Sequence, residues 1–255
     1  MLLPTVSSVH ALVVGASRGI GLEFVHQLLE DDRISHLFAT YRSSQTSSQL
    51  FSLAERYPKR LHCLPVDLTQ EAQIESALAQ ISAAVPNLHL VINCVGLLHN
   101  DQQQPEKALR QLNSENLLHY FQINSIGPVL LAKHLLPLLK HSDPSLFATI
   151  SAKIGSIGDN RIGGWYGYRA SKAALNMFLK TASIEYRRRS PKTTIVMLHP
   201  GTTDTDLSKP FQSGVPPEKL FSTERTVSQL VDVLSAVKAE DSGEFFSWDG
   251  SRLPW

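Results

Sequence analysis

The stretch from Val9 to Gly21 reads VHALVVGASRGIG, and it decides the fold. Residues 9–14 form an apolar run of strand length, as expected for a strand that is covered on both faces. Gly15, Gly19 and Gly21 then form a GxxxGxG loop, which residues with helical spacing follow. Glycine lets the backbone approach a ligand closely, and a helix N-terminus offers free N–H groups to a diphosphate. The stretch therefore predicts a strand, a phosphate-binding loop and a helix.

The rest of the chain continues this alternation of strands and helices. Strands are predicted at 9–14, 36–41, 61–66, 88–95, 146–151, 193–199 and 244–248, and helices at 19–30, 45–57, 70–85, 114–140, 165–188 and 223–239. Such an alternation forms a parallel sheet through right-handed crossovers. Because the sequence has no internal repeat and no dividing linker, residues 1–255 are expected to form a single α/β domain. Its fold is the doubly wound Rossmann type, with about seven strands, helices on both faces, and ligands at the carboxyl ends of the strands.

The composition excludes several classes of protein. The chain has 255 residues, of which 42% are hydrophobic, and this excludes a disordered chain and a disulfide-stabilised miniprotein. Its 24 basic and 23 acidic residues provide no basic field for nucleic acid or anionic lipid. The longest apolar run, 126–139, is shorter than the about 20 residues that span a membrane. Cys63 and Cys94 lie in apolar runs and are expected to be reduced, which favours a cytoplasmic location. The histidines show no metal-binding spacing, so no metal is expected.

The end of the second predicted strand indicates which dinucleotide the glycine loop would bind. An NAD site places an acidic residue there, near the ribose 2′-hydroxyl. This strand ends Ala39-Thr40-Tyr41-Arg42 and has no acid. Arg18 in the glycine loop and Arg42 can together hold a 2′-phosphate. The sequence therefore favours NADP(H); the alternative is that both arginines are solvated surface residues.

Two other strand ends carry residues that suit a dinucleotide site. Asp67 follows the third strand, where its carboxylate either accepts a hydrogen bond from an adenine amino group or caps the next helix. Asn93 ends the fourth strand and is expected to tie neighbouring strands together through its amide. Gly96 lies three residues later and permits the close approach of a ribose.

Tyr168 and Lys172 form the most informative motif, YRASK. They stand four residues apart on a predicted helix and so share one of its faces. A phenol with a pKa near 10 is a weak acid–base at neutral pH, and a nearby ammonium group lowers that pKa. Such a tyrosine can exchange a proton with a carbonyl oxygen while hydride moves at the carbon. Asn124 lies inside the predicted helix 114–140, where asparagine is mildly unfavourable, and this suggests an interior role.

Together these motifs resemble the short-chain dehydrogenase/reductase family. The resemblance rests on the glycine loop, Asp67, Asn93 with Gly96, Asn124, Tyr168 with Lys172, and Pro200-Gly201 followed by Thr205, and it covers nearly the whole chain. Segments 155–172 and 249–255 look like the branch that contains the C-factor signalling proteins and the sniffer-type carbonyl reductases.

The resemblance implies a catalytic tetrad. Tyr168 would be the general acid–base, Lys172 would hold the nicotinamide ribose and lower the Tyr168 pKa, and Asn124 would support a proton-relay water. A serine would hydrogen-bond the substrate carbonyl. The family usually has Ser-Ser where this chain has Ser151-Ala152, and the second serine of that pair is usually the catalytic one.

The missing serine leaves two candidates for the hydroxyl. Alternation along a strand puts Ser151 on the opposite side from residue 152, unless the strand end is twisted or bulged. Ser156 lies beyond Gly155 and can fold back over the site. Both are retained, with Ser151 slightly preferred.

The resemblance also implies how the cofactor and other subunits are bound. The backbone after Pro200-Gly201 and the Thr205 hydroxyl would hold the nicotinamide amide, and helices 114–140 and 165–188 would form a homodimer or homotetramer interface. The expected cofactor-binding residues are Gly15, Ser17, Arg18, Gly19, Ile20, Gly21, Arg42, Asp67, Leu68, Asn93, Gly96, Tyr168, Lys172, Pro200, Gly201, Thr202 and Thr205.

Two functions are consistent with these residues. The first is an NADP(H)-dependent oxidoreductase that reduces a small carbonyl compound or oxidises the corresponding alcohol. The second, motivated by Ala152 and the C-factor resemblance, is a non-catalytic or weakly catalytic NADP(H)-binding signalling protein. Segment 206–222, which carries Pro210, Pro216 and Pro217, is expected to be irregular and to cover the substrate pocket as an apolar lid.

Overall fold

The structure is a computed structural model that describes residues 2–255. Its strands are β1 (Val9–Val14), β2 (Ile34–Tyr41), β3 (Leu61–Pro65), β4 (Leu90–Asn93), β5 (Ser145–Ile150), β6 (Thr193–His199), β7 (Thr202–Thr203), β8 (Leu220–Phe221) and β9 (Glu244–Ser247). Its α-helices are α1 (Gly19–Leu29), α2 (Ser48–Arg56), α3 (Glu71–Ala84), α4 (Ser114–Phe121), α5 (Gly127–Leu139), α6 (Tyr166–Arg189) and α7 (Thr223–Ala236). Short 3₁₀ turns connect several of them.

Seven strands form one parallel sheet in the order β3-β2-β1-β4-β5-β6-β9. Every neighbouring pair in this sheet is parallel, which confirms the predicted fold class. The strand order changes direction between β1 and β4, where Ala11 pairs with Leu90. This switch point is where doubly wound sheets bind their ligands.

Strand alternation explains why the strand sequences are almost continuously apolar. In β1, Ala11 and Val13 belong to one core cluster, whereas Leu12 and Val14 belong to the cluster on the opposite face. Helices α1, α2 and α7 pack on the first face, and α3, α5 and α6 pack on the second. Both faces of the sheet are therefore buried, as parallel sheets require.

The predicted helix 114–140 is interrupted by one widened turn. Between α4 and α5, Gln122–Ile126 forms a π-helical turn in which the Gly127 N–H donates to the Gln122 carbonyl. Pro128 accounts for the widening, because a proline ring clashes with the carbonyl of the residue four positions earlier, which here is Asn124. The prediction of a helix is right in extent. The widened turn contains Asn124, the residue of this helix that the sequence analysis singled out as functional.

The segment after β6 has more structure than the sequence predicts. Residues 206–222 contain 3₁₀ turns at Lys209–Phe211 and Pro217–Lys219, and β8 pairs in parallel with β7. Strands β7 and β8 are two residues long, which is too short to give a periodic pattern.

Candidate active site

A cavity of about 1240 Å³ opens at the carboxyl ends of the strands, with walls from the segments that follow β1 to β6. All but one of the predicted cofactor residues line it; the exception is Asn93, which is fully buried beneath it. The lining residues include Tyr168 and Lys172 of the predicted tetrad, whereas Asn124 and Ser156 do not line the cavity. The tertiary fold thus gathers the motifs at the edge that the sequence predicts.

The glycine loop is packed too tightly for side chains at two positions. A Cβ on Gly21 would lie 2.1 Å from the Gly15 carbonyl oxygen, and one on Gly15, whose φ is +81°, would lie 2.8 Å from Val95 Cγ2. Helix α1 begins at Gly19, and the residue before it, Arg18, provides no side-chain cap. The N–H groups at this helix terminus therefore remain available to an anion.

The two arginines predicted to bind a 2′-phosphate line the same cavity. Arg18 Nη1 lies 3.2 Å from Asp206 Oδ2, and both side chains are mostly exposed. This ion pair joins the glycine loop to segment 206–222. Sequence reasoning did not single out Asp206, because its pairing with Arg18 depends on how that segment folds back over the cavity.

Asp67 does not cap the next helix, because α3 begins at Glu71 and its N-cap residue, Gln70, provides no side-chain cap. Asp67 instead closes a local turn with Thr69. Its Oδ1 accepts hydrogen bonds from the Thr69 N–H at 2.9 Å and from the Thr69 hydroxyl at 2.8 Å. Asp67 also lines the cavity, so the adenine contact remains a prediction. Asn93 Oδ1 accepts from the Val95 N–H at 3.2 Å, which ties the end of its own strand rather than a neighbouring one.

Lys172 and Asn124 come together around Gly96, and Tyr168 lies beside Lys172. A Cβ on Gly96 would lie 3.4 Å from Lys172 Nζ and 3.8 Å from Asn124 Oδ1. Lys172 Nζ donates to the Ile150 carbonyl at 3.0 Å and lies 6.0 Å from the centre of the Tyr168 ring. The predicted catalytic face of α6 is therefore formed, and it lies against the end of β4.

Asn124 is held by several hydrogen bonds. Its Oδ1 accepts from the Leu97 N–H at 2.7 Å, and its Nδ2 donates to the Leu97 carbonyl at 2.9 Å. Nδ2 also donates to Ser171 Oγ at 2.9 Å, and the Ser171 hydroxyl donates to the Tyr168 carbonyl. Asn124 thus joins the loop after β4 to α6. Ser171 was not predicted to contribute, although it lies inside the YRASK motif.

Burial controls the protonation of the two central groups. It raises the pKa of the Tyr168 phenol above its ordinary value, with a smaller contribution from Tyr120. Burial also lowers the pKa of Lys172 to about 8, against the opposing effect of Cys94. The sequence predicts that Lys172 lowers the Tyr168 pKa, and in this structure the shift has the opposite direction. Without a ligand in the cavity, Tyr168 is therefore a weaker acid than an unburied tyrosine and stays protonated at neutral pH.

The hydroxyls of the two candidate serines are both hydrogen-bonded within the fold. Ser151 Oγ donates to Asn176 Oδ1 at 2.7 Å, and Ser156 Oγ accepts from the Asp159 N–H at 3.1 Å. Ala152, in contrast, packs against the cluster that contains Tyr168. Residue 152 therefore borders the cluster of Leu98, Tyr120 and Tyr168, whereas the Ser151 hydroxyl is bound to Asn176. The assignment of a serine to the tetrad remains a prediction.

Aromatic side chains line the cavity beside Tyr168. The Trp165 ring lies 6.2 Å from the Tyr168 ring and 4.9 Å from the Phe211 ring, and Leu207 joins this cluster. Phe211 and Leu207 come from segment 206–222, so this segment forms one wall of the cavity. Trp165 has a φ of +53°, a conformation that costs a non-glycine residue about 1–3 kcal/mol.

The segment after β6 provides the remaining predicted residues. Pro200, Gly201, Thr202 and Thr205 line the cavity near the other strand ends. Gly201 has a φ of +74°, and a Cβ there would lie 2.6 Å from the ring of Phe221. Only glycine therefore fits this turn.

Among residues 2–255, two clusters outside the cavity bring histidine and carboxylate groups together: Glu71, Glu75 and His134, and His89, His141 and Asp143. In the first, the Lys133 ammonium donates to Glu71 Oε1 at 2.7 Å and so already provides a cation. In the second, His89 Nδ1 accepts from the His10 N–H at 3.0 Å, which places the ring proton on Nε2. Neither set of donors favours a metal ion.

Comparison with known proteins agrees with the fold and the site described above. Residues 9–215 match the family model described as short chain dehydrogenase. The chain belongs to the short-chain dehydrogenase family. Among similar solved structures, the NADPH-bound carbonyl reductase from chicken fatty liver has a TM-score of 0.86 and 30% identity, with 97% of this chain and 99% of that chain covered. The Sniffer carbonyl reductase of D. melanogaster has a TM-score of 0.86 and 29% identity, with 97% and 100% covered.

A third relative is a signalling protein by name. The C-signal protein of Myxococcus xanthus is 32% identical over 148 residues, which cover 58% of this chain and 84% of that protein.

Within residues 2–255, no helix combines the length and the hydrophobicity that crossing a bilayer requires.

Proposed function

We propose that this protein is an NADP(H)-dependent carbonyl reductase. The observation that carries the proposal is the position of Tyr168 and Lys172, which lie in the same cavity as the glycine loop and are buried at its inner end. Two similar structures, from chicken liver and D. melanogaster, are named carbonyl reductases, and the first holds NADPH. This similarity supports the same reaction here.

The cavity fits a dinucleotide. The close Gly15–Gly21 contact keeps the glycine loop compact, and the loop lines the cavity next to the uncapped N-terminus of α1. This loop would hold the diphosphate, Arg18 and Arg42 would bind the 2′-phosphate, and Asp67 and Leu68 would contact the adenine. Gly96 would lie against a ribose. Tyr168 and Lys172 would bind the nicotinamide ribose, and residues 200–205 would bind the nicotinamide amide. When bound, the cofactor supplies a hydride to the carbonyl carbon.

The chain's own residues supply the proton. Tyr168 would donate its phenolic proton to the carbonyl oxygen as the alcohol forms, which leaves a phenolate in a buried site. The Lys172 ammonium would offset that negative charge. The phenolic proton is present at neutral pH, because the Tyr168 pKa lies above its ordinary value near 10. The apolar side chains of Trp165 and Phe211 favour a non-polar carbonyl substrate.

The oligomeric state and the cellular location are also proposed. Helices α4 and α6 expose large apolar side chains at Leu118, Met177, Phe178 and Ile184, which favours a homodimer or homotetramer. Light scattering should then give a molar mass of two or four times the 28.2 kDa of one chain. The two free cysteines, Cys63 and Cys94, favour a reducing, cytoplasmic compartment.

A second candidate function is a binding protein that uses NADP(H) without efficient turnover. It is favoured by Ala152 and by the similarity to the C-signal protein. Calorimetry with NADPH and NADH, followed by assays on a panel of aldehydes and ketones, separates the two functions. Tight NADPH binding with no turnover on the panel would favour the second function.

Substitution of Tyr168 tests the mechanism directly. Tyr168→Phe should lower kcat by about 10²–10⁴-fold, the range for loss of a general acid, and leave the Kd for NADPH within about threefold. The matched control is Tyr186→Phe, because Tyr186 lies on the same helix and donates to the Ala132 carbonyl away from the cavity. Wild-type turnover in Tyr168→Phe would refute the mechanism.

A further inference from the structure

Glu106 is a buried carboxylate that the proposed mechanism does not use. It lies in the loop between β4 and α4, is 4% exposed, and is separated by 61 residues from its hydrogen-bond partner Gly167. Burial of a carboxylate is unfavourable unless hydrogen bonds compensate it. Its Oε2 accepts from the Gly167 N–H at 3.0 Å, whereas Oε1 has no hydrogen-bond partner among residues 2–255.

Helix α6 has no cap of its own at the end that carries Tyr168. The residue before the helix, Trp165, provides no side-chain cap, and the first turn contains no acidic residue. The first N–H groups of a helix have no partner within the helix, and its N-terminus favours a negative charge. Glu106 supplies both the acceptor and the charge from a distant loop.

Glu106 also holds the unusual turn that leads into α6. Gly163, Gly164 and Trp165 all have positive φ values. The backbone carbonyl of Glu106 accepts the Trp165 N–H, while its side chain accepts the Gly167 N–H. One residue therefore binds the backbone on both sides of Tyr166, next to the catalytic tyrosine.

The packing around Glu106 extends to the phenol. A Cβ on Gly167 would lie 3.0 Å from Glu106 Oε1 and 2.4 Å from Tyr120 Cδ2, so these groups are in close contact. The Tyr120 ring lies 6.4 Å from the Tyr168 ring, and its hydroxyl donates to the Leu98 carbonyl at 2.6 Å. A shift of the Glu106 side chain would therefore move the first turn of α6 and the wall beside it.

We propose that Glu106 is a positioning residue: by capping α6 and fixing the Trp165 turn, it holds the Tyr168 phenol and the Trp165 ring in their places in the cavity. This proposal rests on the proposed reductase function for its kinetic consequences. Its structural consequence, the fixed Trp165 ring, can be measured without turnover.

The kinetic test compares three variants at neutral pH. Glu106→Ala removes the acceptor and should lower kcat by about 10–100-fold, the size of effect that small misplacements of reacting groups produce. Its Kd for NADPH should stay within about threefold. Glu106→Gln keeps a carbonyl oxygen for the Gly167 N–H and should retain kcat within about threefold. Asn113→Ala is the matched control, since Asn113 caps α4 by accepting from the Asn116 N–H at 2.8 Å.

The second readout is independent of activity. Protein labelled with 5-fluorotryptophan gives ¹⁹F resonances for Trp165, Trp248 and Trp255, which single Trp→Phe variants assign. The Trp165 resonance should shift or broaden in Glu106→Ala and remain in place in Glu106→Gln and Asn113→Ala. If Glu106→Ala does not fold, Glu106→Asp replaces it, because the shorter side chain cannot reach the Gly167 N–H.

The outcomes separate this proposal from the proposed function. If the wild-type protein reduces no carbonyl, the reductase function fails, and the Trp165 resonance alone decides the role of Glu106. An unmoved Trp165 resonance and unchanged kcat in Glu106→Ala would overturn the proposal. An equal loss of kcat in Asn113→Ala at the same Tm would also overturn it, since the effect would then be general destabilisation.

Discussion

Neutralising Asp206 should tighten the binding of NADPH and leave that of NADH unchanged. Asp206 Oδ2 lies 3.2 Å from Arg18 Nη1, and Arg18 is one of the two arginines proposed to bind the 2′-phosphate. In the free protein this carboxylate therefore competes with the phosphate for the guanidinium. Asp206→Asn removes the competing charge. The backbone of Asp206 is contacted separately, by His99 Nε2 at 3.2 Å, so the segment should stay in place.

The expected size follows from the exposure of the pair. The Arg18 and Asp206 side chains are 63% and 71% exposed, and such pairs contribute about 0.2–1 kcal/mol. The Kd for NADPH should therefore fall by about 1.5–5-fold in Asp206→Asn. The gain should shrink at high salt, because screening already weakens an exposed pair there.

Calorimetric titration with NADPH and NADH, at low and high salt, measures the effect. Asp204→Asn is the matched control, because Asp204 lies two residues before Asp206 and accepts from Gln212 at 2.9 Å rather than from Arg18. In an Arg18→Gln background, Asp206→Asn should have no further effect on NADPH binding. An equal gain for NADH, or a gain that persists without Arg18, would refute the assignment of Arg18 to the 2′-phosphate.

Two further substitutions test the inner end of the cavity. Ala152→Ser places a hydroxyl beside Tyr168 and should raise kcat/KM for a ketone by about 10-fold or more, since one donor to a developing oxyanion is worth roughly 10²–10³-fold; Ala152→Cys, of similar size, should not. Lys172→Met should abolish turnover and stabilise the fold at pH 7. The Lys172 pKa is about 8 in the folded protein against 10.5 ordinarily, so the unfolded chain binds more protons and wild-type stability rises with pH between these values. Urea denaturation should show that the variant is more stable by about 2 kcal/mol at pH 7. This figure is the relief of the buried charge less the contribution of the lost hydrogen bond from Lys172 to the Ile150 carbonyl. The difference in stability should disappear near pH 10, where Lys172 is neutral in the folded protein. A constant difference across this pH range would contradict the lowered pKa.

Local pattern was sufficient for the architecture and for part of the site. The apolar run and glycines of residues 9–21 predict β1, the loop and α1, because strand and helix periodicity are properties of neighbouring residues. The spacing of Tyr168 and Lys172 predicts that they share one face of α6 for the same reason. The carboxyl ends of parallel strands meet at one edge, so the location of the cavity also follows from the sequence.

Only the tertiary structure decided how distant residues act on that site. The contact of Glu106 with Gly167 and that of Arg18 with Asp206 join segments far apart in the chain, and no periodic pattern encodes them. The direction of Ser151 depends on its buried partner Asn176. The raised Tyr168 pKa arises from burial, which packing around the phenol creates and which spacing to Lys172 alone does not reveal. The sequence determined which groups meet at the strand ends, and packing determined their orientation and charge.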